Sequence, residues 1–262
     1  MANELYKNFP EVQYTLSNGK IVTIKDFFRK AKLEASQLND LIDYTWYEIQ
    51  EGERPDVIAS KLYGNGDLHW TLFLANEISN YYDWHMDQPT FEKYLAQKYR
   101  GQVLVANATS DIVSGGDYPM KFLIGEDITQ GNAVGKVLNV DPTYYRIWVE
   151  TTNGNKFVAN QEVTGSTDFV INQAGDLDKK KFTPTSVANG VDAVAYYYDG
   201  DNFSKGIRYN NNTIPLPDGG VYSPRTYYEK EYEDNEERRK IKVIRPEFIR
   251  RVVSEFERIM SA

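Results

Sequence analysis

The stretch YEIQEGERPDVIASKLYGNGDLHWTLFLAN, Tyr47 to Asn76, decides the reading of this chain. It is entered through Tyr44 to Gln50, YTWYEIQ, whose alternation of aromatic and polar residues predicts a half-buried strand that Gly52 breaks. Pro55 suits a first helical turn, and Val57, Ile58, Leu62 and Tyr63 recur at helical spacing before Gly64-Asn65-Gly66 stops them. Asp67 is expected to cap a second helix, with Leu68, Leu72 and Ala75 on one face and Trp70, Phe73 and Leu74 filling its flank. Strand, helix, tight glycine turn and helix follow from these thirty residues.

On the N-terminal side, Pro10 and the turn Ser17-Asn18-Gly19-Lys20 predict short extended pieces, followed by a helix over 24–38 carrying Phe27, Phe28, Ala31 and Ala35. On the C-terminal side, Ile78 to Trp84 is aromatic, and Asp87, Pro89, Phe91, Tyr94 and Leu95 indicate a further helix ending near Gly101. The texture then turns β-branched and glycine-rich. Strands are expected at Val103 to Ala106, Lys121 to Ile124, Val134 to Val140, Tyr145 to Thr151 and Phe157 to Ala159, two of them joined by an Asp141-Pro142-Thr143-Tyr144 turn. Such short, evenly spaced strands predict a small antiparallel barrel or sandwich.

Beyond residue 190 come a tyrosine-rich strand candidate, Val194 to Tyr198, and a polar loop from Asn210 to Gly220. The charged run EKEYEDNEERRK reads as a solvated helix face or linker, and Ile241 to Ile244 precedes a helix opened by Pro246. In that last helix Phe248, Ile249, Val252, Val253, Phe256, Ile259 and Met260 form an apolar stripe that either its own core or a partner must cover. The fold class is therefore α+β, organised as an N-terminal arm and helix (1–43), a βαα module with its following helix (44–100), an all-β domain (101–190) and a C-terminal arm with an amphipathic helix (191–262).

Composition narrows the function. The 262 residues can bury a sizeable core, and the 20 tyrosines with 14% aromatic content suggest interface surface, half apolar and half wet. A net charge of −8 repels phosphate backbones and anionic lipid, so neither nucleic acid nor membrane is an expected partner. The N-terminus lacks the apolar core of a secretory signal, no apolar run approaches spanning length, and synthesis in the cytoplasm is expected. With no cysteine, disulfides and thiolate metal sites are excluded and assembly becomes a natural source of stability.

Catalytic motifs are missing from the sequence. His69 and His85 sit beside Trp70 and Trp84 and read as packing residues rather than metal ligands; no serine lies in a Gly-x-Ser-x-Gly turn. No acidic pair stands out among 38 carboxylates, and Gly115-Gly116, Gly125, Gly131 and Gly135 are followed by no Gly-Lys-Ser/Thr. We expect no enzyme, no cofactor and no metal.

The βαα stretch resembles a LysM module, the match being carried by Tyr47, Gly52, Ile58, Ala59, Tyr63, Gly64, Leu68, Leu74 and Asn76. Its form GERPDVIASKLYGNGDLHWTLFLAN is similar to the LysM-like baseplate wedge subunit of T-even-type contractile-tailed phages, as is the ending RKIKVIRPEFIRRVVSEFERIM and, more loosely, DFFRKAK. The resemblance covers about 1–100 and 191–262. It implies a virion protein of the tail baseplate that clamps wedge subunits and joins adjacent wedges around the hub. The implied partners are other wedge proteins, the sheath-initiating subunit and neighbouring wedge copies.

Two rims of a sugar-binding LysM groove depart from the pattern: Gly52-Glu53-Arg54-Pro55 replaces Gly-Asp-Thr-Leu, and EISNYYDWHMDQP stands where a closing strand is expected after Asn76. Protein contact is thus favoured, with binding of peptidoglycan or another aminosugar polymer as the alternative. Candidate interface residues are Tyr47, Arg54, Tyr63, Trp70, Tyr81, Tyr82, Trp84, Phe248, Val252, Phe256 and Ile259. In the inserted region Tyr144, Tyr145, Trp148 and Phe157 are either core or a stacking platform.

Overall fold

A computed structural model describes residues 10–26, 44–106, 122–141, 145–170, 177–199, 208–209 and 222–261. The chain is mixed α+β and divides into two compact units, Met1–Gln88 with Asp234–Ala262, and Pro89–Glu233. The helix expected over 24–38 and the Pro142-Thr143-Tyr144 turn lie largely outside the described residues.

In the first unit, β1 (Glu11–Thr15) and β2 (Ile21–Lys25) form a hairpin around the expected turn. The Asn18 side chain accepts from the Lys20 amide, and Gly19 takes φ +80°, which a side chain would resist. Strand β3 (Tyr44–Glu48) leads into α1 (Pro55–Tyr63), which starts with Pro at its first turn and ends on left-handed Gly64, whose N–H returns to the Ser60 carbonyl. The second helix begins differently from the expectation. Asn65, not Asp67, is the cap: its side chain accepts from the Asp67 amide and opens a 3-10 turn, Gly66–His69, so that α2 runs only from Trp70 to Ala75.

The strand partner of β3 comes from the far end of the sequence. Strand β14 (Lys240–Ile244) pairs antiparallel with β3, Ile241 opposite Tyr47 and Val243 opposite Thr45. Ile241 and Val243 pack with Ile49, Ile58, Ala59, Leu72 and Trp84 into one buried cluster, so α1 and α2 cover one face of a two-stranded ribbon. After a 3-10 turn at Pro246–Phe248, α5 (Ile249–Ser261) returns along the same unit. Its Ile249 and Val252 join Ile244, and Phe256 lies 4.4 Å, ring to ring, from Trp70. The apolar stripe of the last helix is thus covered by its own chain at these three residues.

The second unit holds β4 (Gln102–Val105), β5 (Asp127–Gln130), β6 (Ala133–Asp141), β7 (Arg146–Thr151), β8 (Val163–Val170), β9 (Leu177–Phe182) and β10 (Ser186–Asn189). They form one antiparallel sheet of order β10-β4-β7-β6-β5-β8-β9. It is a curled half-barrel, neither closed nor doubled into a sandwich. Register shifts at Val137/Asn139 and Thr164/Asp168 increase local twist and bend the sheet around Leu104, Ile128, Ile147, Val149, Phe157 and Phe182.

Two expected strands are not strands. Phe122 to Ile124 enters a tight turn in which the Glu126 N–H donates to the Leu123 carbonyl and Gly125 takes φ +87°. Phe157 to Ala159 has side chains where a strand would have a neighbouring backbone. The Gln102 amide bonds both the N–H and the carbonyl of Phe157, and the Gln130 amide does the same for Val158.

The same unit contains α3 (Gln88–Lys98) and a three-stranded sheet in which β11 (Val194–Asp199) lies between β12 (Arg208–Tyr209) and β13 (Tyr222–Thr226). Helix α4 (Tyr227–Glu237) follows directly, opened by a reciprocal cap: the Glu229 amide donates to the Thr226 hydroxyl, and the Thr226 amide to the Glu229 carboxylate. The charged run EKEYEDNEERRK is therefore helical as far as Glu237, and it is not a wholly solvated face, because Glu231 and Asn235 are buried.

Candidate protein interface

Nine of the eleven residues expected at an interface fall into three groups. Trp70, Trp84, Val252 and Phe256 are buried in the first unit. Trp84 stands edge-on to Phe73 and donates its indole N–H to the Glu53 carbonyl. Tyr47, Tyr63 and Phe248 are half-buried, with the Tyr63 hydroxyl donating to the Ile244 carbonyl at 2.9 Å. Arg54 and Tyr82 are exposed. The side chains of Tyr81 and Ile259 lie outside the described residues.

The turn between β3 and α1 is closed on itself. The Glu53 carboxylate accepts from the Tyr47 hydroxyl, the Gln50 amide and the Lys61 ammonium, and Arg54 is paired with Asp56. Burial works to raise the Glu53 pKa, but the bonds from Lys61, Gln50 and Tyr47 outweigh it and hold the carboxyl below its usual range. Burial and the same carboxylate push the Tyr47 hydroxyl up. The polar groups of this rim are already bonded within the chain.

Both histidines lie at hydrogen-bond distance from a backbone carbonyl. His69 Nδ1 is 3.0 Å from the Gly66 carbonyl, and buried His85 Nδ1 is 3.0 Å from the Asn235 carbonyl. Among the described residues no group of three or more metal-ligating side chains occurs, and no helix is long and apolar enough to cross a membrane.

The outer face of the β3/β14 ribbon is the surface that the sequence reading missed. Trp46 is 58% exposed, far more than an average aromatic of the core, and the Lys240 and Lys242 ammoniums sit 5.0 and 5.8 Å from its ring centre. The signal was present in YTWYEIQ: alternation that sends Tyr47 and Ile49 inward must send Trp46 outward. Further exposed apolar residues are Tyr14 and Ile21 on the hairpin and Leu123 and Ile124 on the turn before β5.

That turn is held rigidly. Glu126, beneath it, accepts from the Leu123 amide, the Thr167 amide and hydroxyl, and the Lys180 ammonium at 2.8 Å, with both charged side chains buried. A second buried carboxylate, Glu231, accepts from the Tyr99 hydroxyl at 2.6 Å and Lys98 at 2.9 Å. Burial opposes its ionisation, yet Tyr99, Lys98 and Lys230 together hold its pKa at about 2. Buried Arg146 is satisfied by Asp141, the Val194 carbonyl and the Tyr227 hydroxyl. Of the aromatics left open between core and platform, Phe157 is core, Trp148 is half-buried against Tyr99 and Tyr227, and Tyr145 is exposed.

Comparison with known proteins gives this geometry a context. Residues 5–109 match a family model described as base plate wedge protein 53. Over 100 residues, 38% of this chain, the sequence is 30% identical to the baseplate wedge protein gp53 of Enterobacteria phage T4. That alignment spans 46% of the relative, so the chain covers about half the length of the curated protein it matches. The matched stretch is thus similar to proteins described as baseplate wedge proteins.

Proposed function

We propose that this chain is a structural subunit of a contractile phage tail baseplate wedge, clamping wedge proteins together and joining adjacent wedges around the hub. The match of residues 5–109 to the base plate wedge protein 53 family carries this reading. On it, the partners are other wedge subunits, the sheath-initiating subunit and neighbouring wedge copies. The second unit's half-barrel braces or decorates an adjacent wedge.

The LysM-like reading of residues 47–76 belongs to the same proposal. It is supported by two helices packed on one face of an antiparallel two-stranded ribbon. The sequence after Asn76 contains no closing strand because β14 fills that position from 166 residues away, where the Asn76 side chain bonds both the N–H and the carbonyl of Lys242. Against a sugar ligand stands the rim: Glu53 and Arg54 spend their hydrogen bonds internally, leaving few groups free for a polysaccharide.

Purification of intact tails and quantification of their proteins tests the proposal. Stoichiometric recovery of this chain with wedge proteins is expected, and tails that lack it would overturn the reading. Titration with chitin or peptidoglycan fragments is expected to give no saturable micromolar binding.

A further inference from the structure

The two edges of the β3/β14 ribbon differ. The Ile49 amide bonds the Arg239 carbonyl, which sets the phase of the antiparallel ladder: residues 45, 47 and 49 of β3 bond to β14, while Tyr44, Trp46 and Glu48 turn their backbone groups away from it. By the same phase Lys242 turns its backbone groups outward on β14, where the Asn76 amide satisfies both. On the β3 side the Glu48 carbonyl accepts from the Gln50 side chain, but among the described residues nothing bonds the N–H or carbonyl of Trp46. An unpaired edge beside an exposed tryptophan is a template for strand addition.

The side chains define what is added. Lys240 and Lys242 hold their ammoniums 5.0 and 5.8 Å from the Trp46 ring centre, and among the described residues neither has an ion-pair partner. A strand added to β3 would run about 4.8 Å further out. A residue opposite Trp46 would then present its side chain to both ammoniums. Glu48 on the same face disfavours a second carboxylate opposite itself, so the register is fixed by charge. The surrounding segment is basic in an otherwise acidic chain, with Glu247 the single acid between Arg238 and Arg251.

We infer that the free edge of β3 receives an extended segment of a neighbouring polypeptide, one that places an aspartate or glutamate opposite Trp46 under Lys240 and Lys242. The backbone of Trp46 supplies the pairing, its indole the apolar contact and the two lysines the selection. The inference rests on the baseplate reading for where the neighbour is found, not for the geometry.

The test uses intact tails and the free protein. Zero-length carbodiimide coupling in tails is expected to join Lys240 or Lys242 to a carboxylate of another polypeptide. The Trp46 amide is expected to exchange at least roughly tenfold more slowly in tails than in the free chain. A Lys240→Glu/Lys242→Glu variant should lose the cross-link and enter tails less efficiently. Glu48→Pro removes one outward N–H without touching the β14 ladder, and should reduce incorporation with the lysines intact. If the chain is present in tails but both ammoniums stay fully reactive and the Trp46 amide unprotected, the inference is wrong while the baseplate reading stands. Ultraviolet coupling of Trp46 to nucleic acid in place of the carboxylate cross-link would also overturn it. Tails without the chain would overturn the baseplate reading, and failure of the free protein to bind any wedge polypeptide would then sink this inference too.

Discussion

Two residues in the second unit carry costs that can be read directly. Glu231 is 3% exposed and ionised, surrounded by Tyr99, Lys98 and Tyr94. Its pKa is lowered from 4.5 to about 2, so the stability it contributes is fully present above pH 4.5 and is lost as pH falls towards 2. At about 1.4 kcal/mol per pKa unit that contribution is on the order of 3 kcal/mol. Glu231→Gln should therefore lower the stability of this unit by about 2–3 kcal/mol at neutral pH and flatten its acid limb between pH 4.5 and 2. Urea midpoints measured across that range check both effects, and an unchanged acid limb would count against the assignment. Gly190 is a steric case: a Cβ there would lie 1.9 Å from the Tyr99 carbonyl oxygen and 3.0 Å from Trp148. Gly190→Ala should cost about 2–3 kcal/mol, because the obstructing atom is backbone and has little room to yield. A thermal melt of that single variant decides it.

Among the elements, those with punctuation were legible and those held by distant partners were not. Helix α1 announced itself because Pro55 and Gly64 mark its two ends, and the β1/β2 hairpin because Asn18-Gly19 forces the turn. Phe157 to Ala159 looked like a strand from its apolar residues, but Gln102 and Gln130 decide its state, and neither is near it in sequence. Strands β8 and β9 escaped notice because GSTDF and LDKKK alternate weakly and pair across a register shift. The candidate site divides the same way. Sequence alone places Trp70 and Phe256 on a contact surface because nothing local shows that they meet each other, whereas the outward turn of Trp46 is readable from alternation alone. Asn76 links these levels, since one side chain at the end of α2 satisfies two backbone groups of β14. Asn76→Ala should cost about 1 kcal/mol, the value of a partly exposed pair of bonds, and should speed exchange of the Lys242 amide. If that amide exchanges unchanged, water replaces the side chain at no cost.

For the whole molecule, the decisive fact is that the first unit is assembled from both ends of the chain. Residues 44–88 supply β3, α1 and α2, but the buried cluster between them is completed by Ile241 and Val243, and a second one by Ile244, Ile249 and Val252. A single strand with two short helices has neither a ladder partner nor enough apolar surface to bury, and two-stranded ribbons are themselves marginal without a covered face. Folding of this unit must therefore wait until residues 234–262 exist, however early residues 44–88 are made. A chain ending at Glu233 should leave the amides of α1 unprotected, while the Ile128, Ile147 and Val149 core of the second unit remains folded. Supplying residues 234–262 as a separate peptide should restore the ribbon, at the entropic cost of making a bimolecular contact where the chain had an intramolecular one. Hydrogen exchange of Ile58 and Ala59 in the truncated chain, with and without the peptide, is the measurement. Protection of α1 without the peptide would mean that the N-terminal half folds independently and that β14 merely docks onto it. Protection that appears only with the peptide would mean that the two ends of the sequence form one cooperative element.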